Sequence, residues 1–171
     1  MPIVPDTKSW MWVLERACPD CGFDASAMEA RDAARYARER AETWERILAR
    51  PRVGVRPSDD RWSPLEYGCH VRDVYRLARF RVGLMVGENE PTFPNWDQDA
   101  TAVSDDYSSQ DPHVVAAELG ADACAFADQL DALPPSAWER RGQRSDGAWF
   151  TVGSFARYVT HDPLHHEADV G

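Results

Sequence analysis

The sequence predicts an all-α fold, a four-helix bundle behind a short N-terminal extension. Three observations carry the prediction. Apolar residues recur at alternating three- and four-residue spacing in several long segments; proline-marked helix starts and stops separate those segments; and no stretch alternates like a strand over a convincing length. The division expected is an extension over 1–25 and a bundle over 26–171, which is ample for a core that needs no disulfides.

The first helix is expected from Ser26 to Ala49. Ala30, Ala34, Ala37, Ala41, Trp44 and Leu48 draw one narrow stripe of mostly small residues, so close, near-antiparallel neighbours are expected. Pro51 ends it, because the residue before proline is pushed out of helical geometry. Ser63-Pro64-Leu65-Glu66 opens the second helix: serine as N-cap, proline at the first helical position, glutamate three residues on closing a capping box. It should run to about Val86, with His70, Val74, Leu77 and Leu84 on one mostly apolar face and Gly87 as its stop.

Residues 88–110 carry two prolines and many Asp, Ser and Asn without a period, and read as a long connection folded around Phe93 and Trp96 that is able to cover a site. The third helix starts near Asp111 with Pro112 at its first turn. Its stripe is Val115, Leu119, Ala123, Phe126, Leu130 and Leu133, and Pro134-Pro135 stops it. Residues 138–150 read as a polar connection. Thr151 then caps a fourth helix whose face through Ser154, Tyr158, His161 and His165 is too polar for a plain core stripe.

The 171 residues carry 19 Lys and Arg against 29 Asp and Glu, a net charge of −10, and no basic cluster that would neutralise a phosphate backbone. Nucleic acid is therefore not an expected partner. Met1 to Lys8 lacks both the basic leader and the apolar core of a signal peptide, and no apolar run approaches membrane-spanning length, so a cytoplasmic location is expected. Four cysteines in such a chain read as thiols or ligands rather than a disulfide framework.

The candidate chemistry lies in the histidines. His161 and His165 stand four apart in His161-Asp162-Pro163-Leu164-His165-His166, and on a helix that spacing turns about 400° and rises about 6 Å, projecting both imidazoles from one face. His70, on the core-directed face of the second helix, is the third candidate. Three neutral nitrogens would hold a divalent ion and leave it open positions, as catalytic rather than structural zinc sites do. Zinc suits this donor set best, and nickel, iron or manganese also accept it.

Each element of this reading has a plainer alternative. A buried histidine is more often a hydrogen-bonded core residue than a ligand. Pro163 lies inside the span, where it removes a helical hydrogen bond and threatens to move the two imidazoles apart. His-Asp-Pro-Leu-His resembles the HExxH pattern of zinc proteases only with a shorter acid and an unwelcome proline, so Asp162 reads as an acceptor for an imidazole N–H or as a surface residue. His166 lies about 100° around from His165 and should miss the shared face. His113 reads as exposed. Tyr67 and Asp73, three residues either side of His70, are secondary candidates for proton transfer, as is Asp162. Cys18-Pro19-Asp20-Cys21-Gly22 looks like half of a zinc ribbon whose other half is missing, and reads first as a structural turn, with a metal site or a redox pair as alternatives. Cys69 and Cys124 are expected to be small buried hydrophobes.

Arg61-Trp62-Ser63-Pro64-Leu65-Glu66-Tyr67 leading to His70, followed by the C-terminal His161-Asp162-Pro163-Leu164-His165-His166, resembles the DinB/YfiT-like superfamily of helical-bundle metalloproteins over about Ala25 to the C-terminus. The resemblance implies an up-down-down-up bundle, His70, His161 and His165 as divalent-metal ligands, and a homodimer. It also implies transferases that use low-molecular-weight thiols such as bacillithiol or mycothiol, among them a mycothiol-dependent maleylpyruvate isomerase. The tryptophans and Cys18-x-x-Cys21 of the extension depart from the simpler family pattern and resemble actinobacterial members, for which mycothiol is the natural thiol. The activity this implies is metal-dependent transfer of a small thiol to a small electrophile. The alternatives are a metal-dependent hydrolase and a non-catalytic metal-binding stress-response protein.

Overall fold

In the computed structural model, which describes Ile3 and residues 8–171, the serine–proline start at 63–64 opens a helix as its chemistry requires. The Ser63 hydroxyl accepts from the Glu66 N–H at 3.2 Å and the Glu66 carboxylate accepts from the Ser63 N–H at 2.8 Å, satisfying two donors that a helix start leaves unpaired. Five helices follow one another: α1 Ala33–Leu48, α2 Pro64–Gly87, α3 Gln98–Ser104, α4 Pro112–Asp131 and α5 Val152–Val170. Three short strands, β1 Thr92–Phe93, β2 Arg141–Arg144 and β3 Trp149–Thr151, interrupt them. No helix among the described residues is long and apolar enough to cross a membrane.

The four long helices form the expected bundle, with α1 and α2 each packed against both α4 and α5. Successive helices therefore stand diagonally: α1 and α2 touch little, and α4 and α5 less. The stripes predicted for α1 and α4 are buried, with Ala34, Ala37, Ala41, Trp44 and Leu48 joining Val115, Leu119, Ala123, Phe126 and Leu130 in one core. In α2 the core side is instead Leu65, Cys69, Tyr75, Ala78, Val82 and Met85. Val74, Leu77 and Leu84 are only half-buried, and the first two line a cleft.

Four expectations are corrected. The first helix begins at Ala33, seven residues after Ser26, because the Asp24 carboxylate takes the Ser26 N–H at 3.0 Å into a local turn and a single 3-10 turn, Ala30–Asp32, intervenes. The segment after α2 is not structureless, since Asp97 caps the short α3 by accepting from the Ala100 N–H at 2.9 Å. Nor is 138–150 a plain connection. Strand β2 pairs antiparallel with β3 (Gly142 opposite Phe150) and parallel with β1 (Thr92 opposite Gln143), so a three-stranded sheet closes one end of the bundle. A side chain at Gly142 would put its Cβ 2.7 Å from Met85 Cγ and 2.8 Å from the Phe93 ring, so only glycine lets the sheet approach α2 this closely. Cys69 is buried as expected, but Cys124 is exposed.

Two measurements test the capping chemistry of α2. Ser63→Ala should lower unfolding free energy by about 1 kcal/mol in urea titration. Burial alone would raise the Glu66 carboxyl, but Arg56 and the Ser63 donors outweigh it and hold it below its ordinary 4.5. A depressed carboxylate contributes stability that is complete above 4.5 and lost as pH falls toward the lower folded value. Glu66→Gln should therefore be less stable than the natural protein at neutral pH, with the difference shrinking in acid.

Candidate metal sites on the last helix

Helix α5 begins with a second reciprocal cap, in which the Thr151 hydroxyl accepts from the Ser154 N–H and the Ser154 hydroxyl from the Thr151 N–H, both at 2.9 Å. It stays helical through Pro163. The buried Trp44 indole donates to the Pro163 carbonyl at 3.4 Å and pins the helix at the residue most able to bend it. The His161 and His165 rings remain together, with centroids 5.1 Å apart.

Their partners are the two cysteines of the extension. Cys18 Sγ lies 3.6 Å from His165 Nδ1 and Cys21 Sγ 3.7 Å from His161 Nε2, and the four donor atoms all lie within 4.8 Å of one another. The Cys18–Gly22 turn is closed by a Gly22 N–H to Cys18 carbonyl bond of 2.8 Å and a Cys18 N–H to Phe23 carbonyl bond of 2.9 Å. Gly22 adopts φ +74°, a backbone that glycine takes without strain. Burial pushes the Cys21 thiol up to about 11. Burial, reinforced by His165, presses the His161 imidazole down to about 4. Both groups are thus neutral at neutral pH.

His70 does not join this pair. Its ring, 1% exposed, turns to the next face of α5, where Nε2 lies 3.2 Å from Asp162 Oδ1. His166 Nε2 is 3.8 Å from the same oxygen, and donor atoms of His70, Asp162 and His166 all lie within 4.8 Å of one another. The expected three-imidazole grouping therefore divides between two clusters. One residue along a helix is about 100° of rotation, so positions 161 and 165 look toward the extension while 162 and 166 look toward α2. Asp162 lies against an imidazole, with its Oδ2 3.3 Å from His70 Nε2. His166, expected at the margin, stands inside the second cluster.

The second cluster's surroundings suit a metal ligand set. His166 Nδ1 meets Asp169 Oδ2 at 2.8 Å, which assigns the ring proton to Nδ1 and turns the Nε2 lone pair toward Asp162. Asp169 is itself held by Arg61, whose guanidinium donates to its carbonyl at 2.8 Å and its carboxylate at 3.2 Å. Burial works to raise the Asp162 carboxyl, yet His70 and His166 outweigh it and keep it ionised, well below its ordinary range. A pair of imidazoles with one carboxylate is a donor set that fits a divalent ion and leaves coordination positions to spare.

The aromatic walls explain the sequence around His70. Trp96 stacks on the His70 ring at 5.2 Å and 5°, so the 88–110 segment does cover the site. Trp62 packs against both His70 and Tyr67. Tyr67 lies against His166, ring centroids 4.7 Å apart, which places this second candidate for proton transfer beside the cluster. Asp73 faces away from the cluster, bound by the Tyr107 hydroxyl at 2.5 Å and by Arg72. The cluster opens on a cleft of about 550 Å³ lined in part by Trp10, Trp96, Tyr158, Arg81 and Arg144.

Those arginines carry no sequence signature, because they come from α2 and β2 and only the sheet brings them together. Both are nearly buried, at 5% and 7% exposure. Arg144 pairs with Asp146 at 2.8 Å and donates to the Tyr158 hydroxyl at 3.3 Å. Arg81 donates to the Pro94 carbonyl at 2.7 Å, while its Nε has no partner among the described residues. Burial, with the charge of Arg144 beside it, lowers Arg81 to about 10. Both guanidiniums line the cleft, together with the carboxylates of Asp97, Asp99, Asp146 and Asp162.

A family model for the DinB superfamily matches residues 35–169 of this sequence. The chain belongs to the DinB superfamily. Among solved structures, this DinB-superfamily chain is similar to YfiT from Bacillus subtilis, described as "a probable metal-dependent hydrolase with an unusual four-helix bundle topology". The likeness covers 85% of this chain and 83% of that one, with a TM-score of 0.68 and 16% identity, and it shows the shared fold. No curated protein matches.

Proposed function

We propose that this DinB-superfamily protein is a metal-dependent enzyme in which His70, Asp162 and His166 hold a divalent ion at the floor of the cleft. Its proposed reaction is transfer of a low-molecular-weight thiol, of the mycothiol or bacillithiol kind, to a small electrophile. The observation that carries the reading is the convergence of three ligand-type side chains from α2 and α5 beneath a cleft of about 550 Å³, room for a thiol and an acceptor together. A zinc ion bound there supplies Lewis acidity, which lowers the pKa of a thiol or water beside it. The chain's own residues do the rest. Arg81 and Arg144 bind an anionic group of a substrate, Trp96 and Trp10 exclude water from the reacting end, and Asp169 holds His166 in the tautomer that faces the ion.

Hydrolysis is the second reading, favoured by the description of YfiT, and it uses the same ligands with water in place of the thiol. The two separate experimentally, since product formed without added thiol marks a hydrolase.

Elemental analysis with a thiol-transfer assay tests the proposal. His70→Ala and His166→Ala should each lose one metal equivalent relative to the natural protein and lose turnover with it. Asp169→Ala should keep the site but weaken ion affinity by about 10–100-fold in competition with a chromophoric chelator. Variants at 70 and 166 that retain the natural protein's metal content and turnover would exclude this ligand set.

A further inference from the structure

The cluster of Cys18, Cys21, His161 and His165 is unused by the reading above and does not depend on it. We infer that these four residues form a closed, tetrahedral zinc site of structural type, separate from the cleft, which fastens the N-terminal extension to α5.

Four facts of geometry and chemistry support this. The donors are two thiol sulfurs and two imidazole nitrogens, the Cys2His2 set of structural zinc. With zinc about 2.3 Å from sulfur and about 2.0–2.1 Å from nitrogen, a regular tetrahedron has sulfur–nitrogen edges of about 3.6 Å. The Cys18–His165 and Cys21–His161 edges in this structure are 3.6 and 3.7 Å. The cysteines sit three apart in a tight turn and the histidines four apart on one helix face, spacings that let each pair grip one ion from opposite sides. Finally, four protein donors leave no position for substrate, unlike the three beside the cleft.

The attachment has a consequence for the cleft. Trp10, in the same extension, lies against His161 and His165 with ring centroids at 5.5 and 5.0 Å and forms part of the cleft wall. An ion held by the four residues sets that wall as well as the extension, and it releases two thiol protons to solvent as it binds.

Cobalt substitution tests the site without reference to activity. Reduced natural protein loaded with Co²⁺ should show thiolate-to-cobalt charge transfer in the near ultraviolet. Cys18→Ser and Cys21→Ser should each weaken that band, the double variant should abolish it, and His70→Ala should leave it intact. Loss in His70→Ala with retention in the cysteine variants, or no band in the natural protein, would overturn the inference. Because the cysteine substitutions also remove what fastens the extension, thiol labelling of the natural protein gives a second measurement. With zinc bound, the exposed Cys124 should react alone; after chelation Cys18 and Cys21 should react too, while Cys69 stays buried. Labelling unchanged by chelation, or a Cys18–Cys21 disulfide in protein carrying no zinc at this site, would overturn it equally. Retention of one metal in His70→Ala alongside loss of turnover separates this site from the cleft.

Discussion

The helical rotation of about 100° per residue governs everything on α5. The helix carries two i, i+4 pairs one residue out of step, 161 with 165 and 162 with 166, and that single step sends them to different partners. One pair meets the cysteine turn of the extension and the other meets His70 of α2. Neither cluster could form if α5 bent at Pro163, and the Trp44 indole on the Pro163 carbonyl lies at that point. The bundle supplies the framework. Packing α5 against both α1 and α2 puts Trp44 on one side and His70 on the other.

The fold was largely legible because its signals are local. Ser63-Pro64-Leu65-Glu66 and Thr151 cap their helices as expected, and at the start expected near Asp111-Pro112 the Asp111 carboxylate likewise accepts a backbone N–H. The narrow stripes of α1 and α4 likewise needed only periodicity. The sheet was not legible, since strands of two to four residues show too little alternation to register. A signal was present in Ser145-Asp146-Gly147, where Gly147 takes φ +93° and closes the β2–β3 hairpin.

The site was legible in its residue types but not in its pairings. His161 and His165 do share a face, and His70 is buried beside a cleft, yet joining all three required knowing which face of α5 looks at α2. That depends on the diagonal placement of successive helices, which no local pattern encodes. The missing half of the cysteine motif is about 140 residues away in sequence, and Arg81 and Arg144 become neighbours only through a parallel strand pair. Long-range pairing of this kind leaves no periodic trace.

Because both clusters read the same helix at adjacent positions, α5 behaves like a key cut on two edges. One residue added ahead of His161 would hand His70 the imidazoles shaped for sulfur, and one removed would hand the cysteines a carboxylate, so either change turns both edges at once. Neither cluster can be re-registered without the other, so this stretch of chain tolerates substitution far better than insertion or deletion.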